Sequence, residues 1–198
     1  MGEKAFFNLM DKSFFSRNAL EVAKDVLGKQ IVRITPSGIL SGRIVEVEAY
    51  RGDDDPASHA FRRLTARNKI MYGEPGLAYV YFTYGVHHCL NIVVEEEGNP
   101  AAVLIRALEP LSGIAIMKKN RGRDDINVLT DGPGKLTKAC GITVKENGVD
   151  LTCNNELFIA ALPYCEFDVE VSSRIGIKSG RDKLWRFYIR GSNFVSKR

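Results

Sequence analysis

The sequence predicts a single domain of the α+β class, built on a mostly antiparallel sheet with a few helices. Its 198 residues, 44% hydrophobic and 26% charged, suit one globular domain with a sizeable core. Short β-rich runs follow one another closely along the chain, with few helical patterns among them. Neither a repeat nor a low-complexity tract divides it, so we expect one domain over residues 1–198.

Apolar spacing and turn residues place the elements in order. The predicted elements are a helix over residues 18–27, strands over 30–35 and 43–50, a hairpin of 78–84 and 87–94, a strand over 102–107, helices over 110–120 and 132–140, and strands over 157–162, 167–171 and 184–190. Gly28 suits a helix end, and Pro110 suits a helix start. Residues 52–67 are polar and form a long loop, which in a compact domain is often functional.

Charge and composition exclude several classes of protein. A net charge of +4 is compatible with nucleic acid but is shared by many unrelated proteins. Four cysteines without CxxC spacing and only three histidines argue against a zinc site, so we expect no metal. No apolar run could span a membrane and the N-terminus lacks a signal-peptide pattern, so we expect a cytoplasmic, nucleoid-associated protein.

The segment RIVEVEAY carries two carboxylates on one strand face. Side chains alternate across a strand, so Glu46, Glu48 and Tyr50 share one face and the valines share the other. The valine face suits the core. The carboxylate face suits either solvent or a catalytic site, and the pattern alone favours solvent because charged strand residues are mostly exposed.

The hairpin segment AYVYFTYG concentrates aromatic residues. Tyr79 and Tyr81 share one face, and Phe82 and Tyr84 share the other. Stacked aromatic rings can bind a nucleobase, and an aromatic residue at a turn can wedge between base pairs. Tyrosine and phenylalanine also favour strands, so the pattern alone favours a sheet core.

Other motifs carry weaker signals. His87 and His88 are adjacent and face opposite ways on a strand, which disfavours a shared metal. The segment GPGK lacks the spacing of a phosphate-binding P-loop, although a helix N-terminus with a nearby lysine can contact a DNA phosphate. Asp131, just before it, opposes such a phosphate.

Eight motifs in order resemble the alkyladenine (3-methyladenine) DNA glycosylase family over about residues 14–195. They are RIVEVEAY, ASH, ARNKIMYGEPG, AYVYFTYG, HHCLNIVV, AVLIRALEP, DGPGKL and RFYIRGS. The resemblance implies a curved antiparallel sheet with surrounding helices and a hairpin that enters the DNA minor groove. It also implies a monofunctional enzyme without metal or redox cofactor, which hydrolyses the bond between a damaged purine and its sugar and leaves an abasic site.

Site residues follow from this resemblance, position by position. Glu48 matches the general base, Arg106 matches the arginine beside the attacking water, and the backbone at Arg174 and Ile175 matches the segment near that water. A carboxylate suits this chemistry because breaking an N-glycosidic bond builds positive charge on the sugar. A neutral lesion such as hypoxanthine also needs a proton donor, and the sequence identifies no side chain for that role.

The remaining matches concern the base and the DNA. Tyr84 matches the residue that fills the gap left by a flipped nucleotide, and Tyr50 and Tyr81 match the aromatic rings that sandwich the base. His59 matches a hydrogen-bond donor at the pocket edge, and Asn91 matches the asparagine that crowds the amino group of guanine. The expected partner is double-stranded DNA with a damaged purine, above all an alkylated adenine, bound by a monomer. The candidates for contacts to the DNA backbone are Arg67, Lys69, Lys135 and Lys138.

Two alternatives use the same residues differently. A lesion-sensing or RNA-binding module would bind without turnover, but binding alone needs neither Glu48 nor Arg106. A structural domain could dock a protein on the aromatic hairpin. In that case Tyr84→Ala would weaken protein association and leave DNA binding unchanged.

Overall fold

Eight strands form one antiparallel sheet in the computed structural model, which describes residues 7–52 and 54–196. The strands are β1 (Gln30–Thr35), β2 (Gly38–Tyr50), β3 (Ala78–Thr83), β4 (His87–Val93), β5 (Ala102–Ser112), β6 (Leu157–Ala160), β7 (Val169–Ser172) and β8 (Arg186–Ile189). The helices are α1 (Lys12–Phe15), α2 (Ala19–Asp25), α3 (Ile114–Arg121) and α4 (Pro133–Cys140). This architecture confirms the predicted α+β class.

Residues 1–6, Asp53 and residues 197–198 lie outside the described part of the chain. The prediction that there is no signal peptide therefore rests partly on residues without a structural description. Within residues 7–52 and 54–196, no helix combines the length and the apolar character needed to cross a membrane.

Strand β2 is the spine of the sheet. It pairs with β5 along one edge, while β1 pairs with its first half and β8 with Glu46–Glu48 on the other edge. The remaining strands extend the sheet outward in the order β3-β4-β5-β2-β1-β6, with β7 beside β8. The carboxylate-bearing half of β2 thus lies between two strands from distant parts of the chain.

The predicted helix start at Pro110 is wrong. Strand β5 continues through Pro110, which lies opposite Gly42 of β2, and the helix begins only at Ile114. A register shift between Ser41 and Gly42 lets the ladder accommodate a residue without an N–H. Gly113 then turns the chain, with a φ of 71° that favours glycine.

The two faces of the sheet differ in character. Val45 and Val47 of β2, with Ile105 of β5, join the main apolar core against the helices. The predicted core role of the valine face is therefore confirmed. The next residues along each strand point to the opposite face, and these include Glu48 and Arg106.

Candidate active site

A cavity of about 540 Å³ opens on the sheet face that carries the carboxylates. Strands β2, β3, β4 and β5 form its floor, while residues 56–59 and 175–179 close its sides. Among the predicted site residues, those that line the cavity are Tyr50, His59, Tyr81, Tyr84, Asn91, Arg106 and Ile175. The predicted loop over residues 52–67 supplies one of the two side walls.

Glu48 lies directly behind the cavity wall and is fully buried. Its Oε1 accepts a hydrogen bond from the Ile175 backbone N–H at 2.7 Å, and its Oε2 accepts one from the Tyr50 hydroxyl at 2.7 Å. A guanidinium nitrogen of Arg106 lies 3.2 Å from Oε1. The expectation of a solvated carboxylate face is therefore wrong, because these partners replace water around the buried charge.

Glu46, the second carboxylate on this face, is also fully buried. Its Oε1 accepts hydrogen bonds from the Nε atoms of Arg106 at 2.8 Å and of Arg186 at 2.7 Å, and the Ser196 N–H donates to Oε2 at 2.6 Å. Burial alone would raise the pKa of Glu46. The charge of Arg106 and the hydrogen bonds from Ser196 and Arg186 outweigh burial and hold that pKa below its ordinary value.

Arg106 links the two carboxylates. Burial would lower the pKa of its guanidinium, but the charges of Glu48 and Glu46 raise that pKa overall, so Arg106 stays a cation. Together with Arg186 it balances the two carboxylate charges. The two positive and two negative charges of this cluster cancel, and the cluster holds the guanidinium of Arg106 at the cavity.

Tyrosine rings supply the aromatic walls. Burial, then the neighbouring charge of Glu48, raises the pKa of Tyr50, so its hydroxyl remains a neutral donor. Tyr81 lies with its ring centroid 5.2 Å from that of Tyr79, and both residues line the cavity. Tyr79 is also 2% exposed and packs with Met71, so this hairpin face serves both the core and the cavity.

His59 lies at the edge of the cavity. Its Nδ1 is 2.8 Å from the Tyr79 hydroxyl, and its ring meets the ring of Tyr81 edge-on at 4.7 Å. Burial against these rings, then the charge of Arg67, lowers the pKa of His59 to about 4. The imidazole is therefore neutral at physiological pH and adds no positive charge to the cavity.

Asn91 is held rigidly at the floor. Its Nδ2 donates to the backbone carbonyl of Tyr79 at 3.0 Å, and the residue is 3% exposed. This bond across the β3–β4 pair fixes the plane of the amide. Any group that enters the cavity beside Asn91 therefore meets a side chain with little freedom to move.

Tyr84 is the exposed tip of the predicted hairpin. Its side chain is 85% exposed, and its φ of 52° is one of two positive values among the described residues other than glycine. Gly85 follows with a φ of 69°, and the Val86 N–H donates back to the Thr83 carbonyl. Positive φ at both central positions is what a type I′ turn requires, and a tyrosine there is strained.

The predicted DNA-contacting residues differ in their surroundings. Arg67 is exposed and its guanidinium lies 4.7 Å from the ring centroid of Tyr81. Lys135 is already paired with Asp131, at 2.9 Å from both carboxylate oxygens. Lys138 and Lys69 are exposed. The charge of Asp131, expected to oppose a phosphate, is thus compensated within α4 and the residues before it.

Two buried charged side chains next to the cavity had no role predicted from the sequence, those of Asp55 and Arg174. Arg174, predicted only for its backbone, forms a buried ion pair with Asp55 of the long loop. Its guanidinium also lies over the ring of Tyr50, with 4.6 Å to the centroid. Asp55 lies in the polar loop that the sequence marked as a candidate for function. Its partner Arg174 could not be predicted, because 119 positions separate the two residues.

One family profile and several known proteins match almost the whole chain. A family profile described as Methylpurine-DNA glycosylase (MPG) matches residues 13–193. A protein of Carboxydothermus hydrogenoformans, provisionally named a 3-methyladenine DNA glycosylase, is 48% identical over 96% of this chain and all of its own length. Proteins with the same provisional name from Alkaliphilus oremlandii and Methanocella arvoryzae are 44% and 46% identical, each over 96% of this chain and 99% and 96% of their own lengths.

Proposed function

Because the chain belongs to the methylpurine-DNA glycosylase family, we propose that it excises damaged purines from double-stranded DNA, above all alkylated adenines. The bond that breaks joins the base nitrogen to C1′ of the deoxyribose. Water supplies the new oxygen at C1′, and the base leaves with the electron pair of the broken bond. The products are the free base and an abasic site, and the DNA strand stays intact.

The observation that carries this proposal is a buried carboxylate directly behind an aromatic cavity. The cavity, at about 540 Å³, is of the size that small-molecule sites usually have, ~300–1,000 Å³. Glu48 lies next to Tyr50 and Arg106, which line it. In this position the carboxylate stabilises positive charge on the sugar and accepts a proton from the attacking water, while Arg106 orients both.

A base can reach this cavity only outside the helical stack. Extruding a nucleotide costs a few kcal/mol, and less for a damaged or mispaired base. The exposed ring of Tyr84 at the hairpin tip fills the vacated space. The rings of Tyr50 and Tyr81 replace the lost stacking, worth about 1–3 kcal/mol for each base contact.

The cavity also selects among bases. Tyrosine faces attract a cationic alkylated purine, and the neutral His59 does not repel it. A guanine amino group would press on the fixed side chain of Asn91 or lose its hydrogen bonds, which costs about 1–3 kcal/mol. Adenine lacks that group, so the site favours alkylated adenine over normal guanine.

Basic residues around the cavity contribute affinity for the DNA backbone. Arg67, Lys135 and Lys138 are the proposed phosphate contacts. Each contact releases a counterion from DNA, so affinity falls as salt rises. Lys135 contacts a phosphate only by sharing its charge with Asp131, so its contribution to affinity is the smallest of the three.

Replacing Tyr84 by asparagine should separate stability from activity. Asn-Gly is the preferred pair for a type I′ turn, so relief of the strained φ should raise the free energy of unfolding by about 1 kcal/mol. Loss of the ring should lower single-turnover excision by about tenfold or more, the equivalent of one stacking contact. Urea denaturation and excision from a lesion duplex measure the two effects.

The matched control for that variant is Tyr164→Asn. Tyr164 is 91% exposed and lies outside the cavity. The Tyr164→Asn variant should leave excision unchanged. If Tyr84→Asn excises like the wild type, the ring does not have the role proposed for it. If the variant is less stable than the wild type, Tyr84 is not strained in the turn.

The direct test is release of a free base. Duplex oligonucleotides with one 3-methyladenine analogue, hypoxanthine or ethenoadenine are incubated with excess protein, and the base is separated by chromatography. We expect free base together with strands that break only after alkali. Tight binding of every lesion without release would overturn the proposal in favour of a binding module, and strand breaks without alkali would overturn the purely hydrolytic mechanism.

A further inference from the structure

Arg174 occupies a completely enclosed position beside the catalytic carboxylate. Its guanidinium makes a two-point ion pair with Asp55, in which Nη2 lies 2.6 Å from Oδ1, and Nη1 donates to the Ala49 carbonyl at 2.9 Å. The side chains of both charged residues are 0% exposed. Neither charge therefore faces solvent or the cavity.

The same guanidinium packs between two aromatic rings. Its central carbon lies 4.6 Å from the ring centroid of Tyr50 and 5.2 Å from that of Trp185. Cation–π attraction and the planar shape of the guanidinium favour this arrangement. The ring of Tyr50 is therefore fixed from behind, on the side away from the cavity.

Both donors that Arg174 controls bind the same carboxylate. Tyr50, under the guanidinium, donates its hydroxyl proton to Glu48 Oε2, and Ile175, the next residue in the chain, donates its backbone N–H to Oε1. Arg106 also lies beside Oε1. Two of the groups that hold the Glu48 carboxylate in place are therefore next to Arg174, one in space and one in sequence.

We propose that Arg174, locked by Asp55, is a positioning residue that orients the Glu48 carboxylate toward the attacking water. Arg174 acts through Tyr50 and Ile175 and touches neither the base nor the sugar. This inference rests on the proposed function. Stability alone does not account for such a pair, because a buried ion pair is often no more stabilising than apolar residues of the same size.

The test is a double-mutant cycle between Arg174→Lys and Glu48→Gln. Lysine keeps the charge beside Asp55 but loses the planar two-point contact and the stacking. We expect Arg174→Lys to lower the single-turnover excision rate by about 10–100-fold, as a small misplacement of a catalytic group does, while the Kd for a lesion duplex changes less than about threefold. In the Glu48→Gln background the same substitution should have no further effect on the rate.

A matched control comes from another buried ion pair. Nη2 of Arg33 lies 2.7 Å from Oε1 of Glu146, and the two side chains are 12% and 10% exposed. Neither residue lines the cavity. Arg33→Lys should lower stability similarly and leave the excision rate unchanged. If Arg174→Lys does not fold, Asp55→Asn, which keeps the size of the side chain, replaces it in the cycle with the same expected outcome.

The possible results separate the two proposals. No release of base by the wild type would overturn the proposed function, and this inference with it. Release by the wild type with additive effects in the cycle would overturn the inference alone. A rate for Arg174→Lys equal to that of Arg33→Lys would do the same, because it would reduce Arg174 to a structural role.

Discussion

Glu48→Gln should lower single-turnover excision by about 10²–10⁴-fold, the usual contribution of a general base. Glutamine has the same shape, and its amide can still bond to the Tyr50 hydroxyl and the Ile175 N–H. It lacks the negative charge that stabilises the sugar cation and the basicity to take a proton from water. We therefore expect DNA binding and overall fold to persist while chemistry fails.

The measurement is free base released from a lesion duplex under excess protein, with binding measured on the same duplex. Glu109→Gln is the control, because Glu109 is a half-exposed carboxylate on β5 that pairs with Arg43. The Glu109→Gln variant should excise like the wild type. Equal excision by Glu48→Gln and the wild type would remove Glu48 from the catalytic role and leave the activity itself standing.

Glu46→Ala should produce the largest loss of stability among the substitutions considered. It would leave the buried cations Arg106 and Arg186 close together without their shared carboxylate. Removing one partner of a buried ion pair costs about 3–5 kcal/mol. We expect urea denaturation to show a fall of that size in the free energy of unfolding.

Glu170→Ala provides the contrast. Oε1 of Glu170 lies 2.6 Å from Nε of Arg190 on the surface, where the two side chains are 37% and 61% exposed. An exposed pair contributes about 0–1 kcal/mol, so this variant should unfold almost like the wild type. A Glu46→Ala variant that loses no more than Glu170→Ala would show that the cluster around Glu46 adds nothing to stability.

Much of the fold was predictable because its signals are local. The alternation in β2 and the two β-rich runs around Gly85 identified the central strand and the hairpin. Pro110 misled because a proline suits a helix start, and the register shift that tolerates it within β5 depends on the partner strand. The local sequence of a segment does not show which strand will pair with it.

The site was predictable only where motif resemblance supplied it. From pattern alone, Glu46 and Glu48 suited a solvated face, since charged strand residues are mostly exposed. The groups that make their burial possible lie far along the chain: Arg186 is 140 positions from Glu46, and Ser196 is 150 positions from it. For the same reason the partnership of Asp55 with Arg174 had no local signature.

This arrangement bears on the order of events during synthesis. Both Arg186, on β8, and Ser196 bind the carboxylate of Glu46, which lies in the first quarter of the chain. A nascent chain that has formed β1, β2 and β5 therefore holds Glu46 with only Arg106 beside it. Since a domain folds as a unit, the cluster around Glu46 is complete only when Arg186 and Ser196 are both in place. A chain that ended before residue 186 would leave Glu46 without two of these three partners.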